Sequence, residues 1–260
     1  MPPITSPHNE RLKELRRLAR KRGRDESGRF VAEGEDLLAA ADEAGWRPVE
    51  RYCATGSGLP GTEVEADVLA HVSQLGSGTR ALAVYEQRWA DAPAGPLCVY
   101  LHGIADPGNV GTVLRSALAF GAASVAFGPG CADPFGPKAV RASMGAVFQV
   151  PLARASGDVA ELPGTTIALD AHAGSGPLHG PLGEPATLLV GAERAGLPAA
   201  LLEACDRTAR IPIRSESLNA AMAATIALYE ATRGEHRSLD PAAAIANATA
   251  AAARMPGTIG

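Results

Sequence analysis

The chain has 260 residues, 46% of them apolar but only 4% aromatic, which sizes it for one large domain or two modest ones with a core of Ala, Leu and Val. Its net charge of −4 argues weakly against a polyanionic partner, but the average hides an asymmetry: residues 1–30 carry nine Lys or Arg against four Asp or Glu, a surplus of +5 that leaves −9 for the remainder. Met1 to Lys13 has no apolar core and no run reaches the roughly 20 residues of a bilayer span, so neither a secretory leader nor a membrane segment is expected.

The basic end opens with "NERLKELRRLARKRGR", a charged helix with Leu12, Leu15 and Leu18 on one stripe. "GRFVAEG" follows as a strand and "EDLLAAADEAG" as a helix stopped by Gly45. "RPVERYCAT", "ADVLAHVSQLG" and "RALAVYEQ" continue as strand, helix and strand. This alternation makes residues 1–90 a small α/β domain, and "RWADAPAGP" (Arg88 to Pro96) a linker. Residues 97–260 form the second domain, with strands at "LCVYLHGI", "ASVAFGPG", "TTIALDA", "ATLLVGAE" and "RTARIPI". Helices fall between them, the longest being "SLNAAMAATIALYEATR" with a buried stripe of Leu218, Met222, Ile226 and Tyr229. Near-continuous apolar strands separated by helices imply a parallel sheet covered on both faces, whose ligands sit at the strands' carboxyl ends. The Ala-rich tail from Asp240 reads as a last helix or a frayed end.

Cys53, Cys98, Cys131 and Cys205 form no C-x-x-C pair and have no histidine at zinc spacing, so free thiols in a reducing cytoplasm and no metal are expected. Four segments place glycines or polar residues where a strand ends: "HGIADPGNVG", "GPGCADPFGP", "GAERAGLP" and "IPIRSESLN". Glycine admits close approach of main chain to ligand, so a ligand held largely by backbone fits this edge. The glycine-rich "LDAHAGSGPLHG" imitates a Rossmann phosphate loop, but Pro177 and Pro181 follow where a helix should open. Taken singly, Asn109 is a helix cap ahead of Val110, Arg115 a solvated cation off the apolar stripe, Glu193 a surface carboxylate, and Ser217 and Asn219 caps of the last helix.

In order and spacing, however, these stretches resemble the SpoU (TrmH-like) family of the SPOUT superfamily, S-adenosylmethionine-dependent RNA 2′-O-ribose methyltransferases. "DPGNVGTVLRSALAFGA" is similar to the first family motif, with Asn109 and Arg115 in its key places. "VRASMGAVFQVPL" resembles the S-x-G-A segment, "LLVGAERAGL" the second motif with Glu193, and "IPIRSESLNAAMAATIALYE" the third with Ser217 and Asn219. The first domain resembles a substrate-binding domain similar to ribosomal protein L30e. The resemblance implies a trefoil knot, a homodimer, and a cofactor held by Gly191, Ala192, Glu193, Gly196, Ile211, Ile213, Ser217 and Leu218. It assigns the catalytic role to Arg115, with Asn109 and Glu193 holding it and the nucleotide, and Ser217 and Asn219 positioning nucleotide or cofactor. RNA phosphates would meet Arg16, Arg17, Arg20, Lys21, Arg22, Arg24 and Arg141, and ribosomal RNA is favoured over transfer RNA. One departure stands out: only "IRSE" separates Pro212 from Ser217, about two residues fewer than in the family, in a loop that should touch the cofactor. A non-catalytic RNA-binding relative is the competing reading.

Overall fold

The computed structural model describes residues 2–74, 78–171, 176–179, 182–214 and 217–233. The Ala-rich tail and residues 172–175 and 180 of the "AHAGSGPLHG" stretch lie outside these residues. The first unit runs α1 (Glu10–Leu18), α2 (Lys21–Ser27), β1 (Arg29–Glu33), α3 (Glu35–Glu43), β2 (Glu50–Ala54), β3 (Thr62–Val64), α4 (Ala66–Val72) and β4 (Ala81–Glu86). Its sheet has the order β1-β4-β2-β3, with β4 antiparallel to both β1 and β2. Leu12, Leu15 and Leu18 are buried as their spacing predicts. The basic segment is nevertheless two helices where the sequence reads as one. Arg20 adopts an extended backbone between them, and a Cβ at Gly23 would stand 2.1 Å from the Arg17 carbonyl oxygen. The missing side chain lets α2 fold back onto α1.

The second unit runs β5 (Leu97–Leu101), α5 (Pro107–Ala119), β6 (Ser124–Phe127), α6 (Pro137–Ala142), β7 (Leu152–Arg154), β8 (Thr165–Leu169), β9 (Gly176–Pro177), β10 (Ala186–Val190), α7 (Ala199–Ala204), β11 (Arg207–Arg210) and α8 (Ala220–Thr232). Its seven strands lie in the order β7-β6-β5-β10-β8-β11-β9 and every pairing is parallel. Strands β5, β6 and β10 are buried along their whole length, as a sheet covered on both faces requires. The short strands β3, β7 and β9 lack a readable period and are additions to the sequence reading.

The expected linker is a structured seam. Trp89 packs edge-on against Phe135 (5.2 Å between centroids) and Phe127, and the Ala90 amide donates to the Leu152 carbonyl at 2.7 Å. Phe30 lies 4.8 Å from Phe135, and Trp46 lies 5.2 Å from Phe148 while its indole N–H donates to the Phe148 carbonyl at 2.8 Å. A chain poor in aromatics thus spends them where the two sheets meet, because each ring buries more area than any aliphatic side chain. A second correction concerns α8. Its buried face is Ala220, Ala221, Ala224, Ala227, Leu228 and Ala231, whereas Met222, Ile226 and Tyr229 are 61%, 37% and 50% exposed. Small residues let α8 approach α5 closely, with the Ser116 and Thr225 hydroxyls 2.6 Å apart, and the large apolar side chains are turned outward.

Helix α6 is pressed onto α5 at Gly111. A Cβ there would meet the Ala139 carbonyl oxygen at 2.4 Å and the Ala142 methyl at 2.6 Å. Gly111→Ala therefore costs about 1–3 kcal/mol through overpacking, although alanine is the better helix former by about 1 kcal/mol. Urea unfolding measures it, and a stabilised variant would disprove the contact.

Candidate active site

Helix α5 begins at Pro107, three residues earlier than its apolar period suggests. Asp106 is the cap: its Oδ1 accepts from the Gly108 amide at 2.6 Å and the Asn109 amide at 3.2 Å. The pair "DP", a capping carboxylate before a proline at the first helical position, carries that signal in the sequence. Lys138 on α6 closes a 2.9 Å ion pair with Asp106. The Lys138 ammonium, with the two helix amides, holds the Asp106 carboxyl below its ordinary range. Its charged form is thus favoured on folding, and that contribution is present above the ordinary carboxylate pKa and lost as the pH falls through the lowered one. A carbon-detected titration should find Asp106 ionising below the ordinary aspartate range, and Lys138→Met should raise it. An unmoved midpoint would remove Lys138 as the cause.

With the cap supplied by Asp106, the Asn109 side chain is released for other work. Its amide Nδ2 donates to Glu193 Oε1 at 2.7 Å. Asn219 Nδ2 donates to the same Glu193 oxygen at 2.6 Å and to Asn109 Oδ1 at 3.0 Å. Asn219 is also the cap of α8, its Oδ1 accepting from the Ala221 and Met222 amides at 3.0 and 3.2 Å. Capping and site roles are therefore met by opposite ends of one carboxamide. Three residues far apart in sequence close a hydrogen-bonded triangle at the carboxyl edge of the sheet, where α5 starts after β5, the loop after β10 turns, and α8 starts after β11.

Arg115 is not in that triangle. Six residues on from Asn109, it lies about 120° around α5 and about 9 Å along it. It is exposed and, among the described residues, makes no hydrogen bond or ion pair. The expectation that Asn109 and Glu193 hold Arg115 is thus corrected: they hold each other and Asn219. Ser217 is exposed and Leu218 half-buried just ahead of the α8 cap. Ser215 and Glu216, in the shortened loop, lie outside the described residues.

The loop after β10 has no room for a side chain at Gly191, where a Cβ would fall 2.3 Å from the Gly196 carbonyl carbon and 2.5 Å from the Leu197 nitrogen. The Gly196 amide donates to the Ala192 carbonyl at 2.8 Å, and Gly196 itself is left-handed at φ +65°. Two strand spacings away, roughly 10 Å, β11 runs out into Ile211, Pro212 and the exposed Ile213. Main chain bared by glycine beside exposed aliphatic side chains fits the flat base and polar edges of an adenosine group. The S-x-G-A segment is built for packing: Ser143 is fully buried, Met144 is left-handed at φ +49°, and a Cβ at Gly145 would meet Ala40 at 2.6 Å.

Arg24 is a correction to the sequence reading. It is 5% exposed, its Nε pairs with Asp133 at 2.7 Å, and a terminal nitrogen donates to the Leu18 and Ala19 carbonyls. It is a strut between the two units and has no surface to offer RNA. Arg17, Arg20, Lys21, Arg22 and Arg141 are exposed, and Arg16 is half-buried with its guanidinium donating to the Pro7 carbonyl. Arg17 and Arg22 share the Glu26 carboxylate at 2.7 Å each. Among the described residues no cluster of His, Cys, Asp or Glu is arranged for a metal, and no helix is long and apolar enough to cross a membrane.

A doubly covered parallel sheet with a glycine-bared edge and an Asn–Glu–Asn triangle defines a ligand-binding α/β enzyme. Residues 96–229 match the SpoU rRNA Methylase family, and residues 9–83 match the MRM3-like substrate binding domain. The chain belongs to the SpoU rRNA methylase family and is an RNA methyltransferase that uses S-adenosylmethionine. A rRNA methyltransferase from Sinorhizobium meliloti, solved with S-adenosylmethionine (AdoMet) bound, superposes with a TM-score of 0.80 at 33% identity, covering 89% of this chain and 97% of that one. The 23S rRNA (uridine(2479)-2′-O)-methyltransferase of Streptomyces viridochromogenes is 32% identical over 88% of this chain and 91% of its own. The 23S rRNA (guanosine(2553)-2′-O)-methyltransferase RlmP of Bacillus subtilis is 29% identical over 88% of this chain and 98% of its own.

Proposed function

We propose that the protein methylates a ribose 2′-hydroxyl of 23S ribosomal RNA in the cytoplasm, with residues 1–90 gripping the RNA and residues 97–260 carrying out the transfer. The observation that carries this reading is the Asn109–Glu193–Asn219 triangle beside the Gly191–Gly196 loop, with an exposed Arg115 further along α5. The relatives' 2′-O activity on 23S rRNA supports the choice of acceptor.

When bound, S-adenosylmethionine would supply an electrophilic sulfonium methyl group for the ribose 2′-oxygen, whose proton would pass to solvent. Gly191, Ala192, Gly196, Ile211, Ile213 and Leu218 would hold it, chiefly through main chain. Glu193 would fix the Asn109 and Asn219 amides, and with Ser217 they would position the nucleotide. Arg115 would orient the 2′-hydroxyl and an adjacent phosphate with forked hydrogen bonds.

The outward Met222, Ile226 and Tyr229 of α8, with Leu118 of α5 at 37% exposure, form an apolar face beside Arg115. Monomers seldom leave such a face bare, and a second copy of the chain is assigned to cover it. After β11 the chain doubles back past β8 and β10 to seat α8 on α5, a path consistent with the family's knot.

Labelled cofactor, offered with ribosomal and transfer RNA in parallel, tests the reading. Label should enter ribosomal RNA and resist alkaline cleavage at one site. Neutralising Arg17, Arg20, Lys21 and Arg22 by glutamine should weaken RNA binding, flatten its salt dependence by roughly 0.7–0.9 per lost phosphate contact, and spare cofactor binding. RNA bound without any label would favour the non-catalytic reading.

A further inference from the structure

The chain has two tryptophans, and each lies under an arginine at the seam between the two units. The Arg88 guanidinium stands 4.1 Å from the Trp46 ring centre, and the Arg154 guanidinium 4.5 Å from the Trp89 ring centre. Both arginines are exposed, and among the described residues neither makes a hydrogen bond or an ion pair. Glu86 and Asp91 flank Arg88 in the chain without pairing with it. One stack adjoins the basic hairpin and the other the carboxyl edge. The Gln87 amide donates to the carbonyl of Gly28, the cap of α2, at 2.7 Å, which sets Arg88 beside the hairpin. Arg154 ends β7, and its pairing runs level through Phe127 of β6 and Leu101 of β5 to Val190 of β10. Its main chain thus lies three strand spacings, roughly 14 Å, from the residue that precedes Gly191.

Resting on the reading that the chain acts on RNA, we infer that Arg88 and Arg154 are a second grip on that RNA, each taking a backbone phosphate between the basic hairpin and the reacting nucleotide. A cation over an indole is held by the ring's quadrupole, and a side chain so held has less rotamer freedom left to lose on binding. A guanidinium is weakly hydrated, and laid flat on a ring it keeps its N–H rim for the oxygens of a phosphate. A carboxylate partner would compete with that phosphate, and these two cations have none among the described residues. Arg17 and Arg22, by contrast, already share Glu26. The stacks also sit on the joint between the units: Trp89 packs on Phe135, and Phe30 of the first unit packs on the same ring. Phosphates held there set the RNA at a fixed distance from the methyl-transfer edge. Such contacts supply affinity and register, while sequence choice comes from elsewhere.

Tryptophan emission of the full chain, titrated with a 23S ribosomal RNA transcript, tests this, because both reporters lie under the inferred contacts. RNA should change that emission. Arg88→Gln combined with Arg154→Gln should weaken RNA binding at least roughly tenfold at about 0.1 M salt, and should flatten the slope of log Kd against log salt by roughly 1.4–1.8, the share of two phosphates. Cofactor affinity should be unchanged. Arg88→Lys combined with Arg154→Lys should keep the wild-type slope, because the charges remain. An emission that ignores RNA, or a glutamine variant that melts lower yet binds RNA with the wild-type slope, would overturn the inference and leave the arginines as lids on the seam. The hairpin variant separates the two proposals. RNA affinity lost in that variant but kept in the seam variant refutes only the second grip, whereas an unaltered chain that binds no RNA refutes the RNA methyltransferase reading itself.

Discussion

Arg115→Ala should lower methyl transfer by about 10²–10³-fold, the cost of removing a donor aimed at the reacting oxygen. Arg115→Lys should fall nearly as far, since it keeps the charge but loses the planar fork. Stability should stay within about 0.5 kcal/mol of wild type, because the side chain is exposed and, among the described residues, makes no hydrogen bond or ion pair. Cofactor affinity should be unchanged, because Arg115 lies off the Gly191–Gly196 loop. Single-turnover transfer with saturating cofactor, read beside a thermal melt, separates these effects. A fully active Arg115→Lys would sink the fork; a large loss of stability would mean that Arg115 packs against something the isolated chain does not contain.

Arg24 predicts the opposite pattern. Arg24→Met should destabilise the protein by about 3–5 kcal/mol, because the nearly sealed Asp133 carboxylate is left without its counter-ion. The melting temperature should drop by about 10 °C. Both side chains are nearly sealed, at 6% and 11% exposure, so solvent screening discounts little of this. The Asp133 carboxylate also accepts from the Phe135 amide at 2.9 Å, so its loss of partner is partial and the lower end of the range is expected for Arg24→Lys. Pairing Arg24→Met with Asp133→Leu should recover much of the loss, as removing both charges avoids the orphan. If Arg24 instead contacted RNA, the single variant would melt like wild type and bind RNA less well. A melt and an RNA titration on the same sample decide the matter.

Most strands and helices were legible because a parallel sheet covered on both faces needs uninterrupted apolar runs, and β5 and β10 supply them. The candidate residues Asn109, Glu193 and Asn219 were legible too, through motif order. Their connectivity was not. From Asn109 to Glu193 is 84 residues and from Asn109 to Asn219 is 110, and no local rule couples positions so far apart. Capping chemistry misled at Asn109, because Asp106 caps the helix three residues earlier, at the Gly108 and Asn109 amides, with a proline at the first helical position.

Local composition thus determined which segments are strands, where the basic end lies, and which residue types gather at the carboxyl edge. Tertiary packing decided what faces what. Gly23 folds α2 onto α1 and draws Arg24 inward, so one of seven similar cations becomes a strut. Alanines pack α8 onto α5 and turn Met222, Ile226 and Tyr229 outward, reversing the stripe that hydrophobicity alone would bury. The physical reason is the same in both cases: a side chain's burial depends on how closely its neighbours can approach, and that distance is set by residues remote in the chain.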